Sequence, residues 1–127
     1  MSELNAEFDL PDGPEAIAFA RHAGESILRG WGFADEDWLY DASVIVSELV
    51  SNAVRHGGGS LVLLLQAHER NVTLTVADGS VTAPRRRDGD DDGGRGMAII
   101  EAMGAGWGVA DHEGGKRVWV RLSAHPA

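Results

Sequence analysis

Apolar and polar residues alternate over Ala6-Glu-Phe-Asp-Leu10, the period of a strand with one buried face, and Pro11-Asp-Gly-Pro14 ends it. From Glu15 to about Arg29 the spacing turns helical, with Ile17, Ala20, Ala23, Gly24, Ile27 and Leu28 on one side, until Gly30-Trp-Gly32 closes the helix. Asp35 is placed to cap a second helix. Its first turn is acidic (Glu36, Asp37), and its pattern runs from Trp38 to His56, where Gly57-Gly-Gly59 stops it. Two apolar runs, 61–67 and 72–77, flank His68-Glu-Arg-Asn71 and predict a hairpin. Residues 79–95 carry no period and are rich in Gly, Asp and Arg; so long a loop inside a compact domain tends to be functional. A short helix at 97–103 and two strands, 107–110 and 117–122, complete the chain. This order predicts an α/β two-layer sandwich, with helices on one face of a mixed, mostly antiparallel sheet.

Chemistry enters through the second helix. Trp38, Ala42, Ile45, Val46, Leu49 and Ala53 share one arc, the expected core face. Glu48 and Asn52 are four residues apart, hence neighbours at the margin of that arc, with Arg55 and His56 one turn on. A carboxylate beside a carboxamide in a half-sheltered place suits a general base next to a metal oxygen ligand. Solvated border residues would show the same spacing. Asp78 follows a strand directly, before Gly79; it can accept hydrogen bonds from a base amino group or simply start a turn. Gly93-Gly94-Arg95-Gly96 precedes the helix that opens at Met97. There, backbone N–H groups and the helix dipole could meet phosphate, or the glycines could serve only a tight turn.

Composition narrows the choice. Twenty acidic against 11 basic residues leave a charge of −9 on 127 residues, which disfavours direct nucleic-acid binding. With 43% hydrophobic residues the chain can fill a core, and its length predicts a single domain over 1–127. The absence of cysteine excludes disulfides, thiolate metal sites and a cysteine nucleophile. The acidic start has no signal-peptide character, and the longest apolar run, 61–65, is far too short for a membrane, so a cytoplasmic protein is expected. The five histidines lack metal-ligand spacing, and no Gly-x-Ser-x-Gly elbow is present. The four tryptophans are expected to pack the core and its rim.

Taken together and in this order, the segments resemble the boxes of the GHKL (Bergerat-fold) ATPases, shared by histidine kinases, gyrase and Hsp90 chaperones. The resemblance is greatest to their stand-alone bacterial branch, the anti-sigma-factor serine kinases, and covers about residues 6–123. Glu48-Leu-Val-Ser-Asn52-Ala-Val-Arg-His56 resembles the N box, Asp78 the adenine-recognising acid, Gly94-Arg-Gly96-Met97 the glycine box, and 114–119 the segment closing the last hairpin.

The resemblance implies ATP and Mg²⁺ as cofactors. By it, Asn52 would hold the metal and Glu48 would act as catalytic base. Arg55, His56, Asp78, Gly79, Gly94, Arg95, Gly96 and Met97 would line the nucleotide, under a lid at 79–95. It implies a serine/threonine protein kinase in transcription regulation, with a sigma factor and an anti-sigma-factor antagonist as partners. It allows a homodimer and calls for neither nucleic acid nor membrane. A stand-alone domain is expected, not a piece of a sensor histidine kinase. Two departures separate binding from catalysis: Ser80 and Thr82 occupy glycine positions of the second box, and Lys116 and Arg117 stand where the last box has a threonine. The alternative is a weakly active or inactive module of the same fold that regulates its partner by contact alone.

Overall fold

The computed structural model of the chain describes residues 3–11, 13–56, 60–78, 104–112 and 115–126. Their elements run β1 (Glu3–Leu10), α1 (Glu15–Gly30), α2 (Glu36–His56), β2 (Leu61–His68), β3 (Asn71–Asp78), β4 (Gly104–His112) and β5 (Gly115–Leu122). The five strands form one sheet in the order β1-β2-β3-β5-β4, antiparallel at every pairing. The two helices pack on one face of it, giving the α/β sandwich that the pattern predicts. The expected helix at 97–103 and loop at 79–95 lie outside the described residues.

β2, β3 and β5 turn alternate residues toward the helices. Leu61, Leu63, Leu65 and Ala67 of β2, Val72, Leu74 and Val76 of β3, and Val118, Val120 and Leu122 of β5 are all buried. The predicted arc of α2 is buried as well, and Leu39 and Val50 widen it, because α1 packs against this helix too. On α1 the buried row is Ala16, Ala20, Gly24 and Leu28, spaced by four. These small side chains let α2 come close: a Cβ on Gly24 would lie 4.0 Å from Val46.

The β2–β3 turn differs from expectation. His68 pairs with Asn71, so the turn is Glu69–Arg70, and Glu69 takes the left-handed conformation at φ 57°. Asparagine, the better turn residue, is drawn into the ladder instead. This register sets Leu65 opposite Leu74 and Leu63 opposite Val76 on the buried face. A loop over 68–71 would keep this same register, because Ala67 already faces Val72, so the pairing of His68 with Asn71 adds one rung to the ladder and tightens the turn.

The tryptophans divide. Trp38 is buried and Trp31 packs at the rim, as expected, but Trp107 is 36% exposed on edge strand β4. Trp119 alternates with buried Val118 and Val120 and so lies on the face away from the helices. There its ring covers Gly108, where a Cβ would come within 2.7 Å of it. Gly108 therefore leaves the room that Trp119 fills.

Arg29 ties the helices together at the surface. Its guanidinium donates to Glu36 at 2.8 and 3.0 Å and to Glu25 at 2.8 Å. The hydrogen bonds to Glu36, then those to Glu25, hold the guanidinium charged above its ordinary range, and Arg29 holds the Glu36 carboxyl below its own. A carboxyl whose folded value is depressed contributes stability that is present above its unfolded value and lost as pH falls through the folded one. We expect Arg29→Ala to flatten that acid limb, read as urea midpoint against pH from neutral to about pH 3. The effect is small because all three groups are exposed.

Candidate functional site

The direction of α2 decides what meets what. Asp35 caps it as expected: the Trp38 amide donates to Asp35 Oδ2 at 2.9 Å. The Trp38 indole then donates to the Ser123 carbonyl at 2.7 Å, just past the end of β5, and the Asp35 amide donates to His125 Nε2 at 3.1 Å. Phe33, Trp38 and His125 close this end with ring contacts of 4.9–5.2 Å. The His125 amide bonds the Arg70 carbonyl in the β2–β3 turn. The start of α2, the end of β5 and the β2–β3 turn thus share one end of the sandwich. The C-terminal turns of α2 run toward the other, where β3 ends at Asp78 and β5 begins.

Along those turns the candidates differ in burial. Asn52 is buried, 6% exposed, and Glu48, one turn earlier, is half-buried. Asn52 is therefore more than a border residue: a buried carboxamide is held by its surroundings and needs hydrogen-bonding partners. Arg55 is exposed, and for His56 the backbone position closing the helix is what is described. Among the described residues no three His, Cys, Asp or Glu side chains gather as a metal cage.

Asp78 lies in the last position of β3, in the buried-face register of Val72, Leu74 and Val76. Its cross-strand partner on β5 is Lys116. Their side chains are only 2% and 1% exposed, and Lys116 Nζ lies 3.2 Å from Asp78 Oδ2. The sequence places Asp78 among the candidates but treats Lys116 only as a departure from the last box. Local pattern cannot pair them, because the pairing exists only in the β3–β5 register. Gly79, Gly94, Arg95, Gly96 and Met97 lie outside the described residues, as do Ser80, Thr82 and Gly114.

The description "Histidine kinase-like ATPase domain" matches residues 10–122, nearly the whole chain. The chain belongs to that family. Both candidate elements, the C-terminal half of α2 and the end of β3, fall inside the match. Among solved structures, the fold is similar to a chain in the crystal structure of the SiaB–SiaC complex from Pseudomonas aeruginosa. The TM-score is 0.58 at 12% identity, over 92% of this chain and 88% of that one. At that identity the likeness is one of fold. No curated protein sequence matches this chain. No helix among the described residues is long and apolar enough to cross a membrane.

Proposed function

We propose that residues 1–127 form a single ATP-binding domain, a cytoplasmic regulator of the anti-sigma-factor kind. Its activity is that of a serine/threonine protein kinase acting on an anti-sigma-factor antagonist. The observation that carries this reading is the buried Asn52 in the C-terminal half of α2, within a histidine kinase-like ATPase domain. Asn52 would hold Mg²⁺ through its hard carboxamide oxygen, with phosphate oxygens and water as further ligands. When bound, the metal would neutralise charge on the phosphates. Glu48 would take the proton of the attacking serine hydroxyl, and Asp78 would accept a hydrogen bond from the amino group of the base. Arg55, His56, Gly79, Gly94, Arg95, Gly96 and Met97 complete the proposed pocket. The likeness to a chain of a two-protein complex supports a protein partner. A charge of −9 suits contact with the basic, promoter-reading surface of a sigma factor.

The test is Mg²⁺-dependent binding of a fluorescent ATP analogue. The wild type is expected to bind, and Asn52→Ala to bind at least tenfold more weakly with its fold retained by circular dichroism. No binding by the wild type would sink the reading. One observation favours the alternative, a module acting by contact alone: the Asp78 carboxylate is already engaged by Lys116.

A further inference from the structure

The pair at the end of β3 points to something more specific than a departure from a sequence box. We infer that Lys116 is an internal occupant of the base subsite: its ammonium holds the carboxylate that a purine amino group would need, so a nucleotide base binds only by displacing it. The inference rests on the nucleotide reading above and adds a competitor to it.

Three features carry it. First, the carboxylate is covered, with 2% of the Asp78 side chain exposed, so no base reaches it while the side chains stay as they are. Second, an ammonium stands on that carboxylate: Lys116 Nζ lies 3.2 Å from Oδ2, on a side chain 1% exposed. An ammonium brings a full opposite charge to the carboxylate, which a neutral base amino group lacks, so it holds the same oxygen more strongly than the base would. Third, the competitor is tethered by the sheet. Asp78 and Lys116 are register partners on adjacent strands, and Val118 and Val120 continue the same buried face beyond Lys116. A lysine has a long, flexible stem, so it can leave the carboxylate by rotamer change without moving the ladder. Base binding would then be a switch between two partners for one acid, with the ladder unaltered.

The consequence is measurable with adenosine, which has the base and no phosphates. In Lys116→Thr the competitor is gone, and affinity for adenosine and for Mg-ATP is expected to rise by the same factor, roughly tenfold or more, because the change lies wholly at the base. Titration calorimetry of both ligands against wild type, Lys116→Thr and Lys116→Met reads this. Methionine keeps a buried stem of similar length without the charge. Equal or weaker adenosine binding by both variants, with ATP bound by the wild type, overturns the competitor and leaves the nucleotide site standing. No binding of ATP by any of the three overturns both. Should the variants fail to fold, the wild type suffices. The ¹⁵N-detected ammonium signal of Lys116 is expected to shift on adding adenosine to a protein that binds it, and an unmoved signal at saturation overturns the proposal.

Discussion

Glu48→Ala is expected to lower serine phosphorylation of the antagonist by about 10²–10⁴-fold, the usual contribution of a positioned general base, while ATP binding stays within a few-fold of wild type. The reasoning is positional. Glu48 is half-buried one turn before the buried Asn52, so it stands beside the proposed phosphate and metal position without being part of it. In the proposed reaction a serine hydroxyl entering there would lose a proton as it attacks, and Glu48 is the carboxylate proposed to take it. Glu48→Gln keeps the shape and removes the basicity, so it should match the alanine variant in transfer and the wild type in stability. Transfer from [γ-³²P]ATP to a co-expressed antagonist, with fluorescent-ATP binding alongside, separates the two effects. If transfer is unchanged in both variants, Glu48 is not the base. If binding falls with transfer, Glu48 serves the nucleotide and not the proton.

Much of this architecture was legible because the helices and strands bury one face each. The period of α2 placed Trp38, Ala42, Ile45, Val46, Leu49 and Ala53 correctly, and the apolar runs at 61–67 and 72–77 placed β2 and β3 as a hairpin. What lies across strands was not legible. Lys116 looks from its neighbours like one more surface cation, and only the β3–β5 register sets it against Asp78. Asn52 showed the same limit in milder form. Helical spacing put it at the edge of the apolar arc, but how far an edge is buried depends on what packs beside it. The tryptophans misled for a related reason. Hydrophobicity predicts burial, yet Trp119 finds cover on the outer face by lying over Gly108. At the β2–β3 turn, Asn71 joins the ladder opposite His68, one rung beyond Ala67 and Val72, which tightens the turn to Glu69–Arg70 without changing the register.

Leu74→Ala is expected to cost about 2–5 kcal/mol of folding stability, the range for deleting a fully buried leucine side chain. The upper half of that range applies, since Leu74 has no exposed surface and lies on the central strand of the sheet, β3. Leu65 stands opposite it on one side and Val120 on the other, both fully buried, and strand ladders hold both in place. Such walls relax little, so most of the deleted volume remains as a cavity. A loss of this size should lower the melting temperature by on the order of 10 °C. Thermal and urea unfolding followed by tryptophan fluorescence would measure it, and a loss below about 1 kcal/mol would mean that the sheet does collapse around the gap. The same variant tests how scaffold and site are coupled. Leu74 and Asp78 share β3 and its buried face, four residues apart. If the β3–β5 ladder holds the Asp78–Lys116 pair in place, ATP affinity per folded molecule should match wild type at 15 °C, well below the unfolding transition. A drop there would show that the core beneath β3 sets the position of the acid, and that the ladder alone does not.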